Sequence, residues 1–85
     1  MTEPRYLLKA KETYRFHREK LVENATWRVQ QTAKLLRRSM GSVSEDLQIA
    51  RFCKNHEKEL MKLKYAYEAL EFMRRKQKEE DMSDL

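Results

Sequence analysis

A single glycine and a single proline in 85 residues constrain this chain's fold more than any other feature. Tight hairpin turns depend on residues that reach positive φ or preset φ, and almost none are present. Lys, Glu, Arg, Leu, Gln, Met and Ala dominate instead, and these residues lose little freedom in a helix. The expectation is an all-α fold of four to five helices in one domain over 1–78. The polar, acidic segment 79–85 is expected to fray as a tail. A chain this short buries only about 60–65% of the surface it exposes when unfolded, so its core is thin.

The formal net charge of +5 is unevenly distributed. Residues 1–38 carry ten Lys/Arg against four Glu, whereas residues 39–85 carry nine against ten acidic residues. A basic half suits a polyanionic partner, of which nucleic acid is the commonest, although a solvated helix surface has the same composition. No apolar run approaches the ~18 residues of a membrane span, so no membrane association is expected. The lone Cys53 cannot form an internal disulfide, which fits a reducing, cytoplasmic setting, nucleoid-associated if DNA is bound. His17, Cys53 and His56 lack metal-ligand spacing, and Cys53 with His56 has no evident oxyanion donor. Neither a cofactor nor an enzymatic role is expected.

Apolar positions divide the chain into segments. From Pro4 to about Glu23, the residues Leu7, Ala10, Tyr14, His17 and Leu21 step by three and four along one helical face. Asn24-Ala25-Thr26 breaks the run, with Thr26 a suitable N-cap for a short helix over about 27–36 that buries Trp27, Val29, Ala33 and Leu36. Arg37-Arg38-Ser39 permits only a tight connection. Ser39 can cap a helix from Met40 to about Lys54, with Val43, Leu47, Ala50 and Phe52 inward; Ser42 and Glu45 offer a rival capping box. Asn55-His56 marks the next break. Beyond it, either a short helix over 57–62 precedes a longer one over 65–78, or a single helix runs from Glu57. Tyr67, Leu70 and Met73 or Arg74 are expected on one side of the longer helix.

Segment 32–47 carries the strongest functional signal. Two short helices joined by three residues must cross steeply, with small Ala33 at their contact and Leu36, Val43 and Leu47 closing the wedge. This is the layout of a helix-turn-helix, here over about 28–54, whose second helix can enter a major groove about 12 Å wide. Thr32-Ala33-x-x-Leu36, then Arg38-Ser39, then Gly41-Ser42-Val43-Ser44-Glu45-Asp46-Leu47 and Ala50 resemble the helix-turn-helix of ParB/KorB-type partition proteins and related phage and plasmid regulators. A weaker likeness continues through His56-Glu57-x-x-Leu60 and Glu68-Ala69-Leu70. The resemblance implies duplex DNA as partner and a role in transcriptional regulation, partition or replication. That family usually has Gly at the position of Arg37, where the chain leaves the first helix and can need a left-handed backbone; Arg would cost about 1 kcal/mol if that conformation is kept. No Gly-rich phosphate loop is present, so nucleotide use is not implied.

The expected phosphate contacts are Arg37 and Arg38, then Lys34 and Arg28. The expected groove-facing set is Ser39, Met40, Gly41, Ser42, Ser44 and Gln48, where Gln48 can bond a base edge and Met40 can meet a thymine methyl. Glu45 and Asp46 would repel phosphate, unless one caps the helix or pairs with a neighbouring Arg. Trp27, Tyr14, Tyr67 and Phe72 read either as stacking platforms or, at helical spacing, as core. Leu60, Leu63, Tyr67 and Leu70 could form a homodimer surface on a C-terminal helix or pack on the domain's own core. The rival readings are a helical protein-interaction adaptor, phage-encoded and acting on a host protein, and the DNA-binding part of a packaging protein.

Overall fold

A computed structural model describes residues 2–83 along the backbone and 2–80 in their side chains. The described residues form four helices: α1 (Arg5–Glu23), α2 (Val29–Leu36), α3 (Met40–Met61) and α4 (Ala66–Ser83). The fold is all-α.

Helix α1 starts one residue later than Pro4, which occupies the cap with φ −58° and ψ 145°. Its buried face is Leu7, Ala10, Thr13 and His17, while Tyr14 and Leu21 are half-buried. Trp27 lies outside α2, and Thr26 is not its cap. The Asn24 Oδ1 accepts from the Thr26 N–H at 3.1 Å and from its hydroxyl at 2.7 Å, forming a local turn that takes up the capping group. Arg28 sits at the cap position instead, its N–H donating to Gln31 Oε1 at 2.8 Å.

Helix α2 ends in a Schellman motif. The Arg38 N–H reaches the Ala33 carbonyl at 2.9 Å, the Arg37 N–H reaches Lys34 at 3.3 Å, and Arg37 is left-handed at φ 56°, ψ 46°. After this three-residue connection Ser39 caps α3, its Oγ accepting from the Ser42 N–H at 3.1 Å. The break expected at Asn55-His56 is a kink inside one helix: His56 has φ −136° and ψ 33°, with its ring stacked on Phe52 at 4.2 Å.

The kink sends Leu60 into the larger core cluster with Leu7, Ala10, Ile49, Ala50, Cys53 and Ala69, while Ala33, Val43 and Leu47 form a smaller one where α2 meets α3. Leu60, Leu63, Tyr67 and Leu70 therefore do not share one helix. Leu60 ends in the chain's own core, and Tyr67 is exposed and stacked on Tyr65 at 5.6 Å. Among the described residues of α4, Ala69 is buried and Tyr67 is not. Helix α4 also extends through 79–83, where a frayed tail was expected; residues 84 and 85 lie outside the described residues. No helix among the described residues is long and apolar enough to cross a membrane.

Candidate nucleic-acid interface

Two polar clusters fix the short helix α2 and the turn after it. In the first, the fully buried Thr32 Oγ1 accepts from the Trp27 indole N–H at 2.7 Å and lies 2.6 Å from His17 Nδ1. The indole donates to the hydroxyl oxygen, and the imidazole shares that hydroxyl in a hydrogen bond whose direction follows the ring's tautomer. Burial, and then the positive charges of Arg51 and Arg18, push the His17 pKa below its ordinary value. Neutral His17 thus helps seat α2 on α1.

A pH dependence follows. The unfolded chain takes up a proton at His17 near pH 6.5, more readily than the folded chain does, so this contribution is intact above pH 6.5 and is lost as pH falls through the folded pKa. His17→Gln, which cannot titrate, should be less stable than wild type at pH 7.5, with the gap narrowing by pH 5. Urea midpoints across that range test it, and parallel curves would refute it.

The second cluster locks the turn. The Arg38 guanidinium contacts Asp46 Oδ2 at 2.7 Å and donates to Thr13 Oγ1 at 2.9 Å and Ser42 Oγ at 2.5 Å. Thr13 in turn donates to Asp46 Oδ2 at 2.9 Å, with the Lys9 carbonyl at 3.0 Å as its alternative acceptor. The side chains of Arg38 and Asp46 are only 18% and 11% exposed. Of the expected phosphate contacts, Arg38 is therefore committed to joining α1, the turn and α3. The same cluster explains Asp46, which is neutralised by Arg38 and does not face outward.

Arg28, Lys34 and Arg37 are exposed and, among the described residues, have no carboxylate within ion-pair distance. In the expected groove-facing set, Ser39 is occupied as a cap and Ser42 by Arg38. Met40, Gly41 and Gln48 are exposed and Ser44 is half-buried, while Gly41 has nothing within 4 Å of where a Cβ would stand. The sequence reading missed Arg51 and Asn55. Both are exposed and continue the stripe Met40–Ser44–Gln48, spaced four, four, three and four residues along α3. Extending the 3–4 spacing past Gln48 would have found them.

Helix α4 flanks this stripe. Leu70, Met73, Arg74 and Gln77 share a cleft with Glu45 and Gln48, so a ligand on α3 would also meet Arg74 and Gln77. Of the aromatic candidates, Tyr14 and Phe72 are half-buried against the core, Trp27 is half-buried with its indole bonded to Thr32, and Tyr67 is exposed. Cys53 is buried, which pushes its thiol pKa up, and the His56 ring is turned onto Phe52. Among the described residues no three His, Cys, Asp or Glu converge as metal ligands. No family model, curated protein or solved structure matches this chain.

Proposed function

We propose that this chain is a non-enzymatic binder of duplex DNA, with α2 and α3 acting as a helix-turn-helix of the ParB/KorB-like kind. The observation that carries the reading is the outward stripe Met40, Ser44, Gln48, Arg51 and Asn55 on α3, which begins directly after a turn that exposes Arg37, unpaired among the described residues. The side chains on that stripe suit base edges: Gln48 and Asn55 for adenine, Arg51 for guanine and Met40 for a thymine methyl. Arg37, Lys34 and Arg28 would hold phosphates, and Arg38 would keep the turn rigid beneath them. Transcriptional regulation or a partition or replication accessory role fits such a module.

Arg37→Gly separates fold from function. Glycine adopts φ 56° without strain, so stability should rise by about 1 kcal/mol. Loss of one phosphate contact should weaken duplex binding and flatten the slope of log K against log salt by about 0.9. Selection from random duplexes with gel-shift readout supplies the target. Failure of the wild type to retain any duplex at low salt would overturn the reading, as would unchanged binding and salt slope in Arg37→Gly together with Gln48→Ala/Arg51→Ala.

A further inference from the structure

Beside that stripe, α1 and α3 border an open trough of about 630 Å³. Ala50, Cys53 and Tyr14 lie along it, and Val22, 84% exposed, stands at one end. Its cations are Lys11, Arg15, Arg18 and Lys54, against the two carboxylates Glu19 and Glu57. Lys11 is bound to Glu3 and, at 3.4 Å, to Glu57. Lys54 donates to the Tyr14 hydroxyl at 3.0 Å and lies 5.0 Å from the ring centroid. Arg15 and Arg18 have no ion pair or hydrogen bond among the described residues. The trough thus combines an apolar floor with unneutralised guanidinium groups on one wall.

Its dimensions and chemistry favour one occupant. From Lys11 to Val22 the α1 wall is about 16 Å long, which is three turns of helix. A phosphodiester strand has no apolar side to set against Val22 and Ala50, whereas an amphipathic helix has an apolar stripe with charges on both flanks. We propose that this trough docks an acidic amphipathic helix of a partner protein, its apolar stripe against Val22, Tyr14 and Ala50 and its carboxylates on Arg15 and Arg18. The proposal does not depend on the DNA reading, since it uses different residues.

The test uses the full chain and a fluorescein-labelled helical peptide of about 14 residues, ~21 Å long, with Leu along one face and Glu on its flanks. A scrambled peptide of the same composition is the control. Anisotropy should show binding of the patterned peptide, at least tenfold weaker binding of the scrambled one, and a comparable loss in Arg15→Ala/Arg18→Ala and in Val22→Glu. All three positions are exposed, and circular dichroism verifies folding. The Val22 and Ala50 methyl NMR signals should move with the patterned peptide. Equal binding of the two peptides, or unchanged affinity in the variants, overturns the proposal. So does movement of those methyl signals with a duplex instead, or self-association of the chain abolished by Val22→Glu, which would make a second copy the occupant.

Discussion

Asp46→Ala should cost the folded chain about 3 kcal/mol, one of the two largest single-residue losses expected here. The Asp46 carboxylate is the common acceptor for Arg38 and Thr13, and all three side chains are largely withdrawn from solvent. Removing one partner of a buried ion pair leaves the other charge desolvated and uncompensated, which costs about 3–5 kcal/mol. The lower end applies because Arg38 is 18% exposed and keeps Thr13 and Ser42 as acceptors. For a domain of this size, with total stability of about 4–13 kcal/mol, that loss is a substantial fraction. Asp46→Asn should lose less, because its side-chain oxygen still accepts from Thr13. The paired change Arg38→Met/Asp46→Leu should recover much of the loss by replacing both charges with apolar volume. Urea unfolding of the three variants and wild type measures these differences. A loss below about 1 kcal/mol in Asp46→Ala would show the pair behaving like a surface ion pair.

The role of Arg38 shows where sequence reading runs out. Its position beside the turn, between a helix end and a serine cap, was legible from spacing alone. Its direction was not, because Thr13 lies 25 residues away and only the packing of α1 against α3 brings it within reach. Pairing of one α3 carboxylate with a neighbouring arginine was among the sequence alternatives, and Asp46 realises it. Arg37 was the clearest case in the other direction. The resemblance allowed for a left-handed residue there, and the backbone adopts φ 56° despite the Cβ.

Helix starts were legible where a side chain caps its own helix, as at Ser39, and misread where it turns elsewhere. Asn24 captures Thr26 and delays α2 to Val29, so Trp27 reaches Thr32 from outside the helix. On α4, the connection over 62–65 resets the helical phase. Counting from Leu60 therefore put Tyr67 on one stripe with Leu63 and Leu70, whereas the buried α4 position among the described residues is Ala69. The groove-facing set was partly legible by exposure and spacing. The commitments of Ser39 and Ser42 were not, since they depend on bonds formed at the folded turn.

Leu60→Ala should cost about 4 kcal/mol, towards the top of the 2–5 kcal/mol range for deleting a buried leucine side chain. Leu60 is fully buried where α1, the distal part of α3 and α4 converge, among Leu7, Ile49, Cys53 and Ala69. The buried cluster around it includes Ala10, Ala50, Ala69 and Cys53, whose side chains are too short to swing into a vacated space. Closing the cavity fully would require the helices to shift as well as the half-buried side chains at its edge to repack, and two restraints oppose a shift. The Leu60 carbonyl accepts from the Tyr6 hydroxyl at 2.6 Å, and burial there pushes the Tyr6 pKa up to about 12. The non-helical backbone at His56 is held by ring contacts to Phe52 and Phe72. Leu60→Met, which nearly conserves volume, should cost less than about 1.5 kcal/mol. Urea midpoints give the totals, and amide exchange shows where the loss falls. Protection should fall first in α4, which is anchored by Ala69 and half-buried neighbours, while amides in α2 and the first turns of α3 follow only with global unfolding. A loss below 1.5 kcal/mol in Leu60→Ala would mean that the joint between α3 and α4 can close around the missing side chain. The kink would then be a flexible link and not a fixed corner of the core.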